Sequence, residues 1–337
     1  MDRSALLLAI VAAAGIVACG GTLALIPVLR RAAVLDRPNE RSSHAAPTPR
    51  GGGIAVIAAI LAAWLAFIVV GALPWRHFVV LLGAGALAAV SWLDDLRDLP
   101  AAVRLLVQLV AVSAGMSVLL SVLPEVPTWP ITFVFVVAAT LLWVWFVNLF
   151  NFMDGIDGIA GSEAAAIGIG LLLFGALGTG QGWSGAPLAA AIAAASLGFL
   201  VWNWAPARIF LGDVGSVPLG YLLGFLLLWV AARGHWRLAL ILPLYFMADA
   251  TITLLRRLRR GERVWRPHRQ HFYQRAVQRG FGHAEVVRRV IAVDIVLVLS
   301  GWAAENGAGT AALVIAGAAV AVLLIILAGL PGRAGER

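Results

Sequence analysis

Four residues with amide or carboxylate ends recur at intervals of three: Asn148, Asn151, Asp154 and Asp157, the last followed by Gly158. In a helical turn this spacing lines them along one side. Carboxylates mixed with amides suit a hard cation and hydrogen bonds to a base or ribose. A polar cap between two helices, with Gly155 and Gly158 as turn residues, is the alternative, and a cap does not need four such groups. Asp94 and Asp95 are adjacent, and adjacent carboxylates repel unless a cation or a donor compensates. A metal carried by a substrate, or a nucleophile's proton, is such a partner; a solvated helix end paired with Arg97 is the plainer reading. In FLGDVGS, residues 210–216, Asp213 lies among glycines just before an apolar run. A glycine-lined turn that opens a helix offers free N–H groups to an anion. A carboxylate there makes sense with a metal between it and a phosphate, although Asp213 or Ser216 also suits a simple N-cap.

Two further segments are rich in cations. Residues 255–285 carry His268, His271 and His283 among nine arginines, with Arg269 inside the His-Arg-Gln-His run. His-x-x-His is a zinc fragment only with further ligands, and no cysteine or third clear ligand completes one. Phosphate recognition or ordering of a loop at a site fits the mixture, as does a basic loop facing anionic lipid. In DRPNERSSHAAPTPRGGG, residues 36–53, Pro47, Pro49 and Gly51 to Gly53 form a stiff turn, and Arg41, His44 and Arg50 supply charge. A connector alone is the other reading.

The elements that position these residues must be membrane helices. Of the 337 residues, 61% are hydrophobic and only 12% charged, against roughly 25% charged in soluble domains. Apolar stretches of spanning length fall near 5–29, 52–73, 77–93, 101–121, 131–150, 157–178, 187–203, 214–231, 236–255, 286–303 and 309–330. In hydrocarbon a helix satisfies its own backbone groups, and nothing here alternates as barrel strands do. The expected fold is an all-α integral membrane bundle of about eleven transmembrane helices. The first stretch holds the single cysteine, Cys19, in a lipoprotein-like context. Its apolar run continues to Leu29, however, and reads as an uncleaved first helix.

The sequence contains no lysine, so its +8 charge comes from arginine. With the N-terminus outside and the C-terminus inside, 21 of the 25 arginines fall on the inner side, leaving Arg3, Arg76, Arg233 and Arg237 outside. That pattern explains the basic balance without nucleic acid. All five polar segments then fall in inner connections, near 30–51, 94–100, 148–157, 204–213 and 255–285. Ionisable groups at membrane depth are costly and functional by default. One composite site within a single catalytic unit over 1–337 is the simplest account.

In order, PTPRGGG, DDLRD, NFMDGIDG, FLGDVGS and HRQH resemble the motifs of the polyprenyl-phosphate N-acetylhexosamine-1-phosphate transferases, glycosyltransferase family 4. That family includes the MraY transferase of peptidoglycan synthesis and the WecA-like starters of O-antigen and related glycans. The resemblance implies a UDP-N-acetylhexosamine donor, an undecaprenyl phosphate acceptor in the inner membrane, and Mg²⁺, with Mn²⁺ as an admissible substitute. It places Asp213 and Asp157 on the metal and Phe210 on the uracil. Asn148, Asn151 and Asp154 fall on nucleoside and metal-associated groups, and Asp94 and Asp95 near the lipid phosphate. His268, Arg269 and His271 fall near the pyrophosphate. Arg50 or Arg41 stands where some members carry lysine. The histidines are not three in a row, which with DRPNERSSH resembles the O-antigen branch of lipopolysaccharide synthesis rather than the peptide-bearing one. A homodimer is compatible with this resemblance.

The implied reaction is attack of the lipid phosphate oxygen on the β-phosphorus of the nucleotide sugar, with UMP leaving by single displacement. An intramembrane aromatic prenyltransferase also fits DDLRD, but it gives FLGDVGS and HRQH no task. An anionic-lipid transporter wants charges through the membrane middle, where Asp249 and Asp294 are the candidates. Asp249, near the inner end of its span, is also placed to join the site.

Overall fold

The computed structural model describes residues 2–36, 46–97, 99–122, 128–263 and 268–329. Arg41, His44 and Asp98 lie outside the described residues. The helices are α1 (Arg3–Arg31), α2 (Gly53–Val69), α3 (Phe78–Arg97), α4 (Ala101–Leu120), α5 (Trp129–Phe152), α6 (Ile159–Leu177) and α7 (Ala186–Asn203). They continue as α8 (Asp213–Ala232), α9 (Trp236–Ile241), α10 (Leu244–Arg259), α11 (Phe272–Gln278), α12 (His283–Ala303) and α13 (Gly309–Ala328). Two short strands, β1 (Leu35–Asp36) and β2 (Thr48–Pro49), pair antiparallel beside the α2 entry.

Eight helical stretches among the described residues are long and apolar enough to cross a membrane, so the chain is a multi-pass membrane protein. One of the eight runs through α12 and α13 across a bend where Asn306 and Gly307 leave helical geometry. At 17 residues α2 is shorter. The apolar stretch at 236–255 is not one helix. It breaks into α9 and α10 around Pro243, whose ring cannot continue a helix.

The core is built around α8, whose Tyr221, Phe225 and Leu226 are fully buried. Its neighbours approach through small residues, as membrane helices do when packing rather than water drives association. Trp143 of α5 lies against Tyr221, ring centroids 4.9 Å apart, and its indole N–H donates to the Tyr221 carbonyl at 2.9 Å. A Cβ on Gly115 of α4 or Gly224 of α8 would strike that indole. On the opposite flank α1 crosses α7, where Gly198 sits against the Gly15 carbonyl.

Candidate active site

The five polar segments converge at one end of the bundle, and main-chain hydrogen bonds fix the first of them to the fourth. Phe210 N–H donates to the Pro49 carbonyl at 2.8 Å, while Gly51 and Gly52 N–H both donate to the Phe210 carbonyl. Gly53 N–H continues the ladder onto Leu211 O at 2.9 Å. This lacing brings the first turns of α2 and α8 into backbone contact, because a Cβ on Gly53 would fall on Gly215.

Arg50 emerges from that lace into a carboxylate cluster. Its Nη2 lies 2.6 Å from Asp95 Oδ1 and 2.9 Å from Asp213 Oδ1. Burial by itself would lower the Arg50 pKa, but the charges of Asp213 and Asp95 outweigh it and raise the guanidinium further. Asp95 also accepts the backbone N–H groups of Asp213 and Val214 at 3.3 and 3.2 Å. A carboxylate from the end of α3 therefore takes the free donors of the α8 N-terminus, where the helix dipole favours negative charge. Gly212 makes this approach possible, with φ +75° and a would-be Cβ 2.9 Å from Asp95 Oδ2. Neither Asp213 nor Ser216 caps α8 with its side chain. Ser216 Oγ instead receives the Asn151 amide at 2.8 Å.

Asp94 and Asp95 divide their work. Asp94 accepts Leu99 N–H at 2.7 Å and pairs with Arg104 of α4 at 2.8 Å. One turn along α4, Gln108 exchanges hydrogen bonds with Asn148, the shorter at 2.7 Å. Arg104, Gln108, Asn148, Asp94 and Asp213 line the polar end of a groove of about 440 Å³, whose walls continue as Leu87, Leu141, Val144 and Trp145. Sequence reasoning missed Arg104 and Gln108. A single arginine and a single glutamine in an apolar helix carry no motif, and only their i, i+4 spacing beside the aspartate pair hints at them.

The third segment splits as well. Asp154 carries a carboxyl pushed up to about 7, by burial first and then by Asp213, with Asp95 and Asp157 adding and Arg50 opposing. Asp157, expected on the metal with Asp213, has one carboxylate oxygen engaged elsewhere: Oδ2 accepts Ala207 N–H at 3.0 Å and lies 3.3 Å from His283 Nδ1. It ties the α5–α6 turn to the 204–212 loop and to the start of α12. Asn203 reinforces the tie, accepting Gly158 N–H and donating to Ile209 O, both at 2.9 Å.

The histidine segment is ordered by α10. Asp249 is fully buried and accepts Phe272 N–H at 3.0 Å, Tyr273 N–H at 3.3 Å and His271 Nδ1 at 3.1 Å. The hydroxyls of Thr253 and Tyr245 complete its shell at 3.3 and 3.4 Å. Asp249 thus joins the site as the anchor of α11. The other mid-span acid, Asp294, is buried on α12 and interacts with Glu163 of α6, which sequence reasoning passed over. The His268 ring lies tilted against that of His271, centroids 4.8 Å apart, and burial, His271 and Arg257 push its pKa down to about 4, so it is neutral at pH 7. Arg269 follows it, and its carbonyl accepts Gln278 Nε2 at 2.8 Å.

From α11, Tyr273 donates its hydroxyl to Phe152 O at 3.2 Å and covers Gly155. A methyl at Gly155 would land on that hydroxyl and sit 3.1 Å from Gln274 Nε2. Gly155→Ala is therefore expected to cost about 1–3 kcal/mol through overpacking. Tyr273→Phe in the same chain should recover most of the loss in a thermal melt.

Three carboxylates, Asp95, Asp154 and Asp213, thus interact around one arginine, which leaves negative charge for a further cation. No group of three or more His, Cys, Asp or Glu stands at ligating distance among the described residues. Mg²⁺ takes only one or two carboxylates and completes its shell with phosphates and water, so these oxygens suit it.

Residues 77–231 match the family described as Glycosyl transferase family 4. A probable undecaprenyl-phosphate N-acetylglucosaminyl 1-phosphate transferase of Bacillus subtilis (strain 168) is 27% identical, the match covering 82% of this chain and 80% of the relative. The decaprenyl-phosphate N-acetylglucosaminephosphotransferase of Mycobacterium tuberculosis (strain ATCC 25618 / H37Rv) is 30% identical over 86% of this chain and 81% of its own. An undecaprenyl-phosphate alpha-N-acetylglucosaminyl 1-phosphate transferase of Yersinia pestis is 30% identical over 85% and 82% respectively.

Proposed function

We propose, from the premise that this chain belongs to glycosyl transferase family 4, that it transfers an N-acetylhexosamine-1-phosphate to a polyprenyl phosphate such as undecaprenyl phosphate. The donor is a UDP-sugar and UMP leaves. One observation carries the reading: a carboxylate–arginine cluster stands at the polar end of an apolar groove, the place where a lipid phosphate must meet a soluble nucleotide.

Arg50, held over the glycine-laced backbone, receives the pyrophosphate, and Phe210 and the Asn151 to Asp157 segment receive the nucleoside. Arg104, aimed by Asp94, binds the acceptor phosphate while its prenyl chain follows Leu87, Leu141 and Trp145. That phosphate has a second pKa of about 6 and is already mostly dianionic at pH 7, so no base is required to activate it. Asp94 and Asp95 are accordingly positioning groups. Mg²⁺, held by Asp213 with Asp154 in place of Asp157, would offset the charge that develops on UMP. His271 and neutral His268 order the α11 loop and offer hydrogen bonds to the donor.

Eleven crossings follow if α1 to α8, α9 with α10 as one broken span, α12 and α13 each traverse the bilayer. The arginine distribution supports an outer N-terminus and a site on the cytoplasmic face. The bonds that join segments from Pro49 to Tyr273 support treating 1–337 as one catalytic unit. DRPNERSSH supports an O-antigen-type role in starting a surface glycan.

The test is UMP release from a panel of UDP-N-acetylhexosamines, with and without undecaprenyl phosphate and Mg²⁺. Release that does not depend on the acceptor, or activity only with a prenyl diphosphate and an aromatic acid, refutes the reading. Within it, Arg104→Gln should raise KM for the lipid acceptor about tenfold or more, as expected for one charge-assisted contact. KM for the nucleotide should change little in the same titration.

A further inference from the structure

A second lipid-facing groove lies where α1 meets the end of α7, two helices that take no part in the acceptor groove. Its wall on α1 is Gly20, Leu23, Ala24 and Pro27, and its mouth is flanked by Arg30, Trp202 and Arg208. The local geometry is fixed from several sides. Trp202 donates its indole N–H to Cys19 O at 3.0 Å, which pins the ring across the α1–α7 seam. The Arg208 guanidinium stands 5.5 Å from the centre of that ring. Stacked this way, an arginine keeps its N–H edge available for an oxyanion. Arg30 comes from the last turn of α1, and both arginines are exposed. Neither has an acidic partner among the described residues.

Two uncompensated guanidinium groups and an indole at the bundle end that bears the site, above an apolar trough open to lipid, match a phosphate with an acyl chain below it. We propose that this groove is a binding site for an acidic phospholipid, its phosphate between Arg30 and Arg208 and one chain along Gly20 and Ala24. A zwitterionic headgroup would bring an ammonium next to two cations, so the net charge of the lipid is what the site selects. Gly20 leaves the trough open, with nothing within 4 Å of a Cβ built there. It can therefore be filled without straining the helix packing.

The experiment is native mass spectrometry of the full chain in detergent, titrated with phosphatidylglycerol or phosphatidylcholine of identical chains. One phosphatidylglycerol should be retained at about a tenfold lower concentration than phosphatidylcholine. R30Q/R208Q should abolish that preference. Gly20→Leu should weaken retention of phosphatidylglycerol with both arginines intact, and it decides the matter together with R208Q if the double variant does not fold. Inorganic phosphate in excess should not displace the lipid. Equal retention of the two lipids, a preference that survives R30Q/R208Q, or displacement by inorganic phosphate overturns the proposal. So does a lipid-independent dimer that Gly20→Leu disrupts.

Discussion

Asp213→Asn is expected to lower UMP release by about 10³-fold or more while the protein inserts and melts as the parent does. The size follows from what one preorganised charge contributes where charge develops in a transition state, about 10²–10³-fold. Loss of an oxygen that would hold Mg²⁺ adds to it. Asp213 is more exposed than its neighbour across Arg50, at 22% against 1% for Asp95, so its oxygens are within reach of a substrate-borne cation. Asparagine keeps the shape and still meets Arg50, so the fold has no reason to fail. The comparison to make is single-turnover transfer against thermal midpoint in one preparation. A variant that retains a tenth of the parent rate removes Asp213 from the metal role.

Asp249→Ala is expected to fail differently, through the fold. Asp249 is fully buried and holds two main-chain N–H groups, His271 and two hydroxyls. Removing it strands those donors in a dry interior, at about 3–5 kcal/mol for a broken buried charged network. The α11 loop should detach, exposing sites in 268–279 to proteolysis, and turnover should fall with it. Asp249→Asn, which keeps an acceptor oxygen, should restore part of both. Unchanged protease sensitivity in the alanine variant would show that α11 is held by its packing alone.

The sequence disclosed the helices and the motifs for a physical reason: helices in lipid need long apolar runs, so each polar interruption stands out. Asp213, Asp154, Arg50 and His271 were visible on that ground, and the structure brings Arg50, Asp95, Asp154 and Asp213 into one cluster. What stayed hidden were the assignments within motifs. Asp94 and Asp95 are indistinguishable as a pair, yet one aims an arginine and the other caps a helix. Asp154 and Asp157 share a spacing, yet an oxygen of Asp157 is engaged by Ala207 and His283, from chain 50 and 126 residues away. Such choices depend on partners remote in the chain. The break at Pro243 was missed because an apolar run of that length reads as one span whether or not a proline divides it. Glu163 was missed because one acid near the start of a helix reads as a terminal charge rather than an interior one.

The floor beneath Arg50 is made of main chain: Gly51, Gly52 and Gly53 laid against Phe210 and Leu211, with Gly53 pressed onto Gly215. Because these N–H groups already donate to Phe210 and Leu211, a drug could not borrow them without prying the two helix starts apart. The floor sets the pocket's depth through atoms every amino acid shares, so side-chain drift elsewhere in the site leaves that depth unchanged.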